Sequence, residues 1–185
     1  IKEKEQEKEE KLEQEEAQHK IRQRVIGSII FAVPLLYISM GHMLPFELPL
    51  PRILSMEENP FNYALAQLLL TVVVLIFGRK FYIVGFKTLF HGHPNMDSLV
   101  AIGTGSAFLY SLVMTIRIPF DAHAVHSLYY ESAAVVVTLV MLGKYFESKS
   151  KGKTSEAIRK LMELAPDTAV RLKEGKEEEI PVEQV

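Results

Sequence analysis

The sequence predicts a mainly α, polytopic membrane protein with four transmembrane helices, a cytoplasmic stalk helix and a terminal β-hairpin. Three observations lead there. Apolar residues make up 48% of the 185 and charged residues 24%. Those averages would suit a soluble domain, but the two classes are segregated along the chain. Four apolar runs, at about 25–44, 62–84, 97–117 and 126–146, approach or exceed the ~20 residues that cross a ~30 Å hydrocarbon core as helix. Behind the fourth, a helical pattern runs on to Pro166. It gives way to Val170 and Leu172, then Ile180, Val182 and Val185, alternating on either side of Glu174-Gly175-Lys176 as hairpin strands do.

Residues 1–22 form a charged tail of Glu, Lys and Gln, too poor in apolar surface to pack, and are expected as a fraying solvated helix with Glu/Lys pairs at i,i+4. Residues 23–147 are the membrane region. The first span follows a charged tail and lacks a small-residue cleavage site, so it is no signal peptide. It contains Pro34, where a kink is expected. The connector after it carries Pro45, Pro49, Pro51 and Pro60, which forbid a continuous helix. The second apolar run is too long for one crossing, and Gly78 is its natural break. Beyond Gly78, apolar Phe81, Tyr82, Val84, Phe86 and Leu89 alternate with Lys80 and Lys87, so 79–91 reads as an amphipathic platform at the membrane surface.

Span three opens on Asn95, a good N-cap, and Asp97, well placed against the helix dipole. Its Gly103, Gly105, Ser106 and Ala107 suit close helix packing. Residues 148–166 are the stalk. Gly152-Lys153-Thr154 resembles the end of a phosphate loop, but the glycine that motif needs five positions earlier is Glu147. Residues 167–185 begin a β-rich domain that stops soon after it starts. With Ile at position 1, the chain reads as part of a longer one.

Lys and Arg gather on one side of this arrangement, at Lys20, Arg22, Arg24, Arg79, Lys80, Lys87, Lys144, Lys149, Lys151 and Lys153. The other side has only Arg52 and Arg117, so both termini are expected in the cytoplasm and the protein in the cell membrane. The chain has no cysteine, hence no disulfide framework and no thiolate ligand. Its formal charge of -2 gives no footing for a nucleic-acid partner.

Ionisable groups at membrane depth are costly and point to function. Glu131 and Glu147 are about 24 Å apart along one helix, one near each face, and roughly 160° apart around it. Each has an alternative reading, Glu147 as a solvated charge beside Lys144 and Lys151, Glu131 as a snorkelling carboxylate. Met96 at the cytoplasmic mouth offers a thioether, which Cu(I) prefers and Zn(II) or Mg(II) does not. Met40, His42 and Met43, with His123 and His126, lie on the outer side, where soft or borderline ligands could receive a released metal. The alternative is histidine that is merely polar at a membrane edge.

Pro94-Asn95-Met96-Asp97 opening a span, Tyr129-Tyr130-Glu131 early in the next, and Gly152-Lys153-Thr154-Ser155-Glu156-Ala157-Ile158 after it resemble the copper-transporting heavy-metal P-type ATPases, over about 25–185. The resemblance implies an ATP-driven Cu(I) exporter in which 167–185 begin the actuator domain. It implies that Met96 and Glu147 form the cytoplasmic uptake site, that Glu131 serves release, and that Gly78, Arg79, Lys80 and Lys87 form a docking platform. The implied partners are lipid, the remaining core helices, the P, N and A domains, and a copper chaperone or metal-binding domain. ATP and Mg(II) would act through domains outside these residues. The family's Cys-Pro-Cys, Thr-Gly-Glu and Asp-Lys-Thr-Gly-Thr motifs do not occur here. A Zn(II)/Cd(II) pump, or a non-catalytic four-helix scaffold or channel subunit, are the alternatives, and Cu(I) and Ag(I) are not separable.

Overall fold

The computed structural model describes the backbone of residues 2–41, 43, 50–163, 168–173 and 176–181, and the side chains of 12–41, 43 and 50–153. The helices are α1 (Lys2–Met40), α2 (Pro60–Phe77), α3 (Arg79–Phe90), α4 (Met96–Arg117) and α5 (Tyr130–Glu163), with 3-10 turns at Arg52–Leu54 and Ala122–Ser127. Strands β1 (Thr168–Lys173) and β2 (Lys176–Pro181) pair antiparallel, Thr168 opposite Pro181 and Lys173 opposite Lys176. Glu174 and Gly175, at the expected turn, and the stop at Pro166 lie outside the described residues, as do His42, Pro45 and Pro49. The chain divides into two compact units, Ile1–Tyr145 and Phe146–Val185.

Four stretches, Leu12–Met40, Pro60–Phe77, Met96–Arg117 and Ala122–Lys153, are long and apolar enough to cross a membrane, the number read from the sequence. In the first unit, α1 packs on α2 and α3 on α4. One buried cluster draws on all five helices through Val25, Leu35, Val74, Phe81, Val100, Val137 and Met141. A second, at the end where α4 finishes and α5 begins, joins Ile38, Tyr63, Ala64, Ile118, Val125 and Tyr130. Lipid offers no hydrophobic drive between helices, so close packing and hydrogen bonds must hold them together. Buried hydroxyls supply several of these. Tyr130 Oη meets Thr115 Oγ1 at 2.9 Å, Thr71 donates to the Tyr130 carbonyl at 3.4 Å, and the Tyr129 amide donates to Ser111 Oγ at 2.7 Å.

The helix boundaries depart from the sequence reading where the first and fourth spans begin, and agree with it at Gly78. The charged tail and the first span are one helix, α1, which passes the expected boundary at residue 22 and continues through Pro34. The run 62–84 is two helices, because α2 ends at Phe77. Gly78 there has φ -85 and ψ 5, a conformation open to any residue, so glycine's freedom is not what breaks the helix. What demands glycine is space, since a Cβ would collide with Val137 of α5. The fourth long helix starts only at Tyr130, preceded by the 3-10 turn.

The small residues of α4 differ too. Gly103 and Ser106 are exposed, and a Cβ on Gly103 would meet nothing within 4 Å. The close approach is instead at buried Gly85 of α3, where a Cβ would strike the Asp97 carbonyl and sit 3.0 Å from Ala101 Cβ.

That contact sets up the start of α4. Asn95 Oδ1 accepts from the Ser98 amide at 3.0 Å, and the Asn95 amide donates to Ser98 Oγ at 3.3 Å, a reciprocal capping box. Ser98 Oγ donates to the Gly85 carbonyl at 2.7 Å and touches Thr88 Oγ1 at 2.8 Å. One serine thus caps its own helix and ties it to α3.

Two variants test this corner. Gly85→Ala forces backbone apart rather than a flexible side-chain end, and should destabilise the detergent-solubilised protein by about 1–3 kcal/mol, seen as a lower thermal unfolding midpoint. Asn95→Ala should cost about 1 kcal/mol and speed hydrogen exchange at the Ser98 amide. Unchanged exchange there would show that the cap does not hold the first turn.

Candidate functional site

At the end where α4 begins, Met96 is the first helical residue and 59% exposed, presented by the capping box directly before it. Asp97 is half-buried and ion-paired with Lys144 of α5. This explains Asp97 better than the helix dipole does, because the pair bridges 47 residues of sequence and fastens α4 to α5. Lys144 also lies 4.8 Å from the centre of the Phe81 ring. Gly78 is buried, whereas Arg79, Lys80 and Lys87 are exposed on and beside α3. His91 Nδ1 sits 2.7 Å from the Lys87 carbonyl, which makes His91 a closing group for α3.

Glu147 belongs to the second unit. Its carboxylate pairs with Lys151 one turn on, at 2.6 Å, with side-chain exposures of 59% and 75%. That is the solvated ion pair weighed from the sequence, and Met96 and Glu147 fall in different units.

At the opposite end, side chains from five parts of the sequence line one cavity of about 170 Å³. Met40 comes from the last turn of α1, Met43 from just beyond it, and Met56 from the connector before α2. His126 comes from the 3-10 turn and Glu131 from the first turn of α5. Glu131 is half-buried, and Ser132 Oγ lies 3.5 Å from its carboxylate. The ring of His126 stacks at 6.4 Å on that of His123, whose amide donates to Asp121. Gln67 of α2 also lines the cavity. It is 0% exposed beside the Tyr63 hydroxyl, which donates to the Ser39 carbonyl at 3.3 Å, and among the described residues neither its amide nitrogen nor its oxygen makes a well-formed hydrogen bond. A buried amide without partners is costly, so this one marks a place where a polar guest would be stabilised.

Met56 and Gln67 are the residues the sequence reading missed. Met56 lies in a proline-rich connector with no periodicity to place it. Gln67 did carry a signal, as the lone amide in the run Ala64-Leu65-Ala66-Gln67-Leu68-Leu69-Leu70. Among the described residues, no three His, Asp or Glu side chains converge as a metal-binding group. What converges is thioether sulfur with one carboxylate and one imidazole.

No protein-family profile matches the chain. Individual proteins do. It is 37% identical over 163 residues to a copper-exporting P-type ATPase of Staphylococcus saprophyticus, covering 88% of this chain and 19% of that protein. A copper-transporting ATPase of Helicobacter felis is 42% identical over 138 residues, covering 75% and 18%. A copper-exporting P-type ATPase of Bacillus subtilis is 38% identical over 164 residues, covering 88% and 20%. The chain thus spans about a fifth of the length of the curated relatives it matches. With four membrane-length helices and this identity along most of its residues, the chain is a multi-pass membrane protein that belongs to the copper-transporting P-type ATPases.

Proposed function

We propose that this chain supplies the cytoplasmic uptake end, the outer release end and the link to the actuator domain of an ATP-driven Cu(I) exporter. The observation that carries the reading is the cavity in which Met40, Met43 and Met56 surround the same space as Glu131. Thioethers are soft neutral ligands suited to a monovalent soft ion, and Zn(II) or Cd(II) sites would call for more charge or for thiolate. Glu131 supplies a single negative charge, enough to draw one Cu⁺ outward, while the labile thioethers let it leave.

At the other end, Met96 is exposed where an arriving ion would meet it, and Asp97 is already tied to Lys144. Glu147, the other uptake ligand that the resemblance implies, would exchange Lys151 for the metal. Gly78, Arg79, Lys80 and Lys87 form the basic platform that would receive a copper chaperone or metal-binding domain, with both termini cytoplasmic. Residues 148–166 would act as the stalk, and β1 and β2 as the first strands of the actuator domain. ATP and Mg(II) would bind to the P and N domains of the whole protein, and the remaining core helices would complete the ion path.

In the natural full-length protein, Met96→Ala or Glu147→Ala should raise the Cu(I) concentration for half-maximal ATPase stimulation by about tenfold while leaving the unfolding midpoint in place. Unchanged copper activation in both variants would remove the uptake assignment. For the release end, Glu131→Ala combined with Met40→Ala should slow export of radioactive copper from loaded vesicles by about tenfold, with copper still bound by the protein. Export at the unaltered rate would sink the release role of the cavity. Stimulation by Zn(II) in place of Cu(I) would transfer the protein to the divalent-ion pumps.

A further inference from the structure

The first unit holds a second cavity, of about 280 Å³, at the end where α3 and α4 meet, and it shares no residue with the methionine cavity. Its charged lining is Arg24 of α1, Lys80 of α3, Lys144 of α5 and Asp97 of α4. Three cations thus face one carboxylate. Asp97 is already neutralised by Lys144, whose remaining approach is over the Phe81 ring. Arg24 and Lys80 have neither a hydrogen bond nor an ion pair among the described residues. The cavity therefore carries two unspent cations, with Arg24 half-buried. The rest of the lining is apolar, chiefly Phe77, Phe81, Val84 and Met141.

A basic floor within apolar walls suits an anion that carries a tail. Lys80 follows the last residue of the membrane-length α2 by only three positions, which puts the cavity at the level of a lipid interface. Val84 of α3 lines the cavity, and elsewhere on the same helix Ile83 is 64% exposed and Phe90 84%. Exposed apolar side chains beside basic ones on one short helix are the pattern of a helix lying in the headgroup region. A free phosphate would satisfy Arg24 and Lys80 but leave the aromatic walls wet. A phospholipid would satisfy both, its phosphate between the cations and its glycerol and first acyl carbons along Phe77, Phe81 and Val84.

We infer that this cavity is a binding site for the phosphate headgroup of an anionic phospholipid, held by Arg24 and Lys80. Guanidinium suits phosphate through paired hydrogen bonds, and lysine adds a point charge. Basic pockets between membrane helices commonly serve this purpose. The inference rests on the membrane placement of the chain and not on the metal it carries.

The test uses the natural full-length protein, purified with neither copper nor ATP, in nanodiscs of phosphatidylcholine with a minority of phosphatidylglycerol. Native mass spectrometry then counts the phosphatidylglycerol retained on release. Arg24→Gln/Lys80→Gln should weaken retention by about 30-fold, on the scale expected for two cations near a membrane surface. The charge-keeping Arg24→Lys/Lys80→Arg should retain most of it. Lys149→Gln/Lys153→Gln removes the same charge elsewhere and should change nothing. Equal retention in all variants, or equal loss in the Lys149/Lys153 control, overturns the site. So does displacement of the lipid by millimolar inorganic phosphate, which would make this a soluble-phosphate site. Should Arg24→Gln/Lys80→Gln fail to fold, hydrogen exchange on the unaltered protein decides. Peptides containing Arg24 and Lys80 should be protected by phosphatidylglycerol and not by phosphatidylcholine, and a lack of difference refutes the proposal.

Discussion

The arrangement of the first unit depends on how closely the backbones of α3 and α4 approach at Gly85. Only because that position lacks a Cβ can the Asp97 carbonyl come to rest against α3. The same approach brings Ser98 Oγ within 2.7 Å of the Gly85 carbonyl, and so the capping box that starts α4 is anchored to the neighbouring helix. Met96 and Asp97 inherit their positions from that anchor. A larger residue at 85 would move the mouth of α4 as a body, because Ser98 is shared by the cap and the interhelical bond. Hydrogen bonds and close packing are the forces available between helices in lipid, so this corner concentrates both.

Polar groups at the two ends of the bundle are handled differently. Around Gly85, hydroxyls and amides are all engaged, and the one carboxylate is held by an ammonium group. Around Glu131 the engagement is incomplete. Tyr130 and Thr115 bond to each other, but among the described residues Gln67 makes no well-formed hydrogen bond and Glu131 has a long contact with Ser132. The α3–α4 contact is built to stay put, while Arg24 and Lys80 beside it keep their charge for a guest. The unsatisfied end keeps polar capacity in reserve, which a bound ion and its water could use.

Much of this was legible in the sequence because it is local. Apolar runs gave the four spans, Asn95 before Met96 gave the N-cap, and the charge pattern after Gly78 gave a separate α3. What stayed illegible is convergence across distance. Nothing near Asp97 announces that Lys144 will pair with it, and nothing around Met56 says that it will face Met40 and Glu131. The small residues of α4 misled for a related reason. Gly103 and Gly105 fit a packing pattern, yet Gly103 faces open space, a Cβ on Gly105 would meet only the Tyr82 ring at 3.9 Å, and the backbone contact proved to be at Gly85. Gly78 was chosen for the right position on the wrong ground, since its backbone is ordinary and the crowding comes from Val137 on another helix.

Charge placement also bears on which ion such a path would favour. A carboxylate paired with an ammonium offers little to a divalent cation, which needs the charge that Lys144 already takes from Asp97. The neighbouring thioether of Met96 carries no charge to be cancelled and remains available to a soft monovalent ion. At the far end the balance reverses, because Glu131 has no cationic partner among the residues lining its cavity. On the copper reading, an ion would be selected by softness where α4 begins and drawn by charge where α5 begins. On that reading the lysine that secures α4 to α5 would sharpen selectivity as well as hold the fold, since removing it would leave the Asp97 carboxylate free for hard ions.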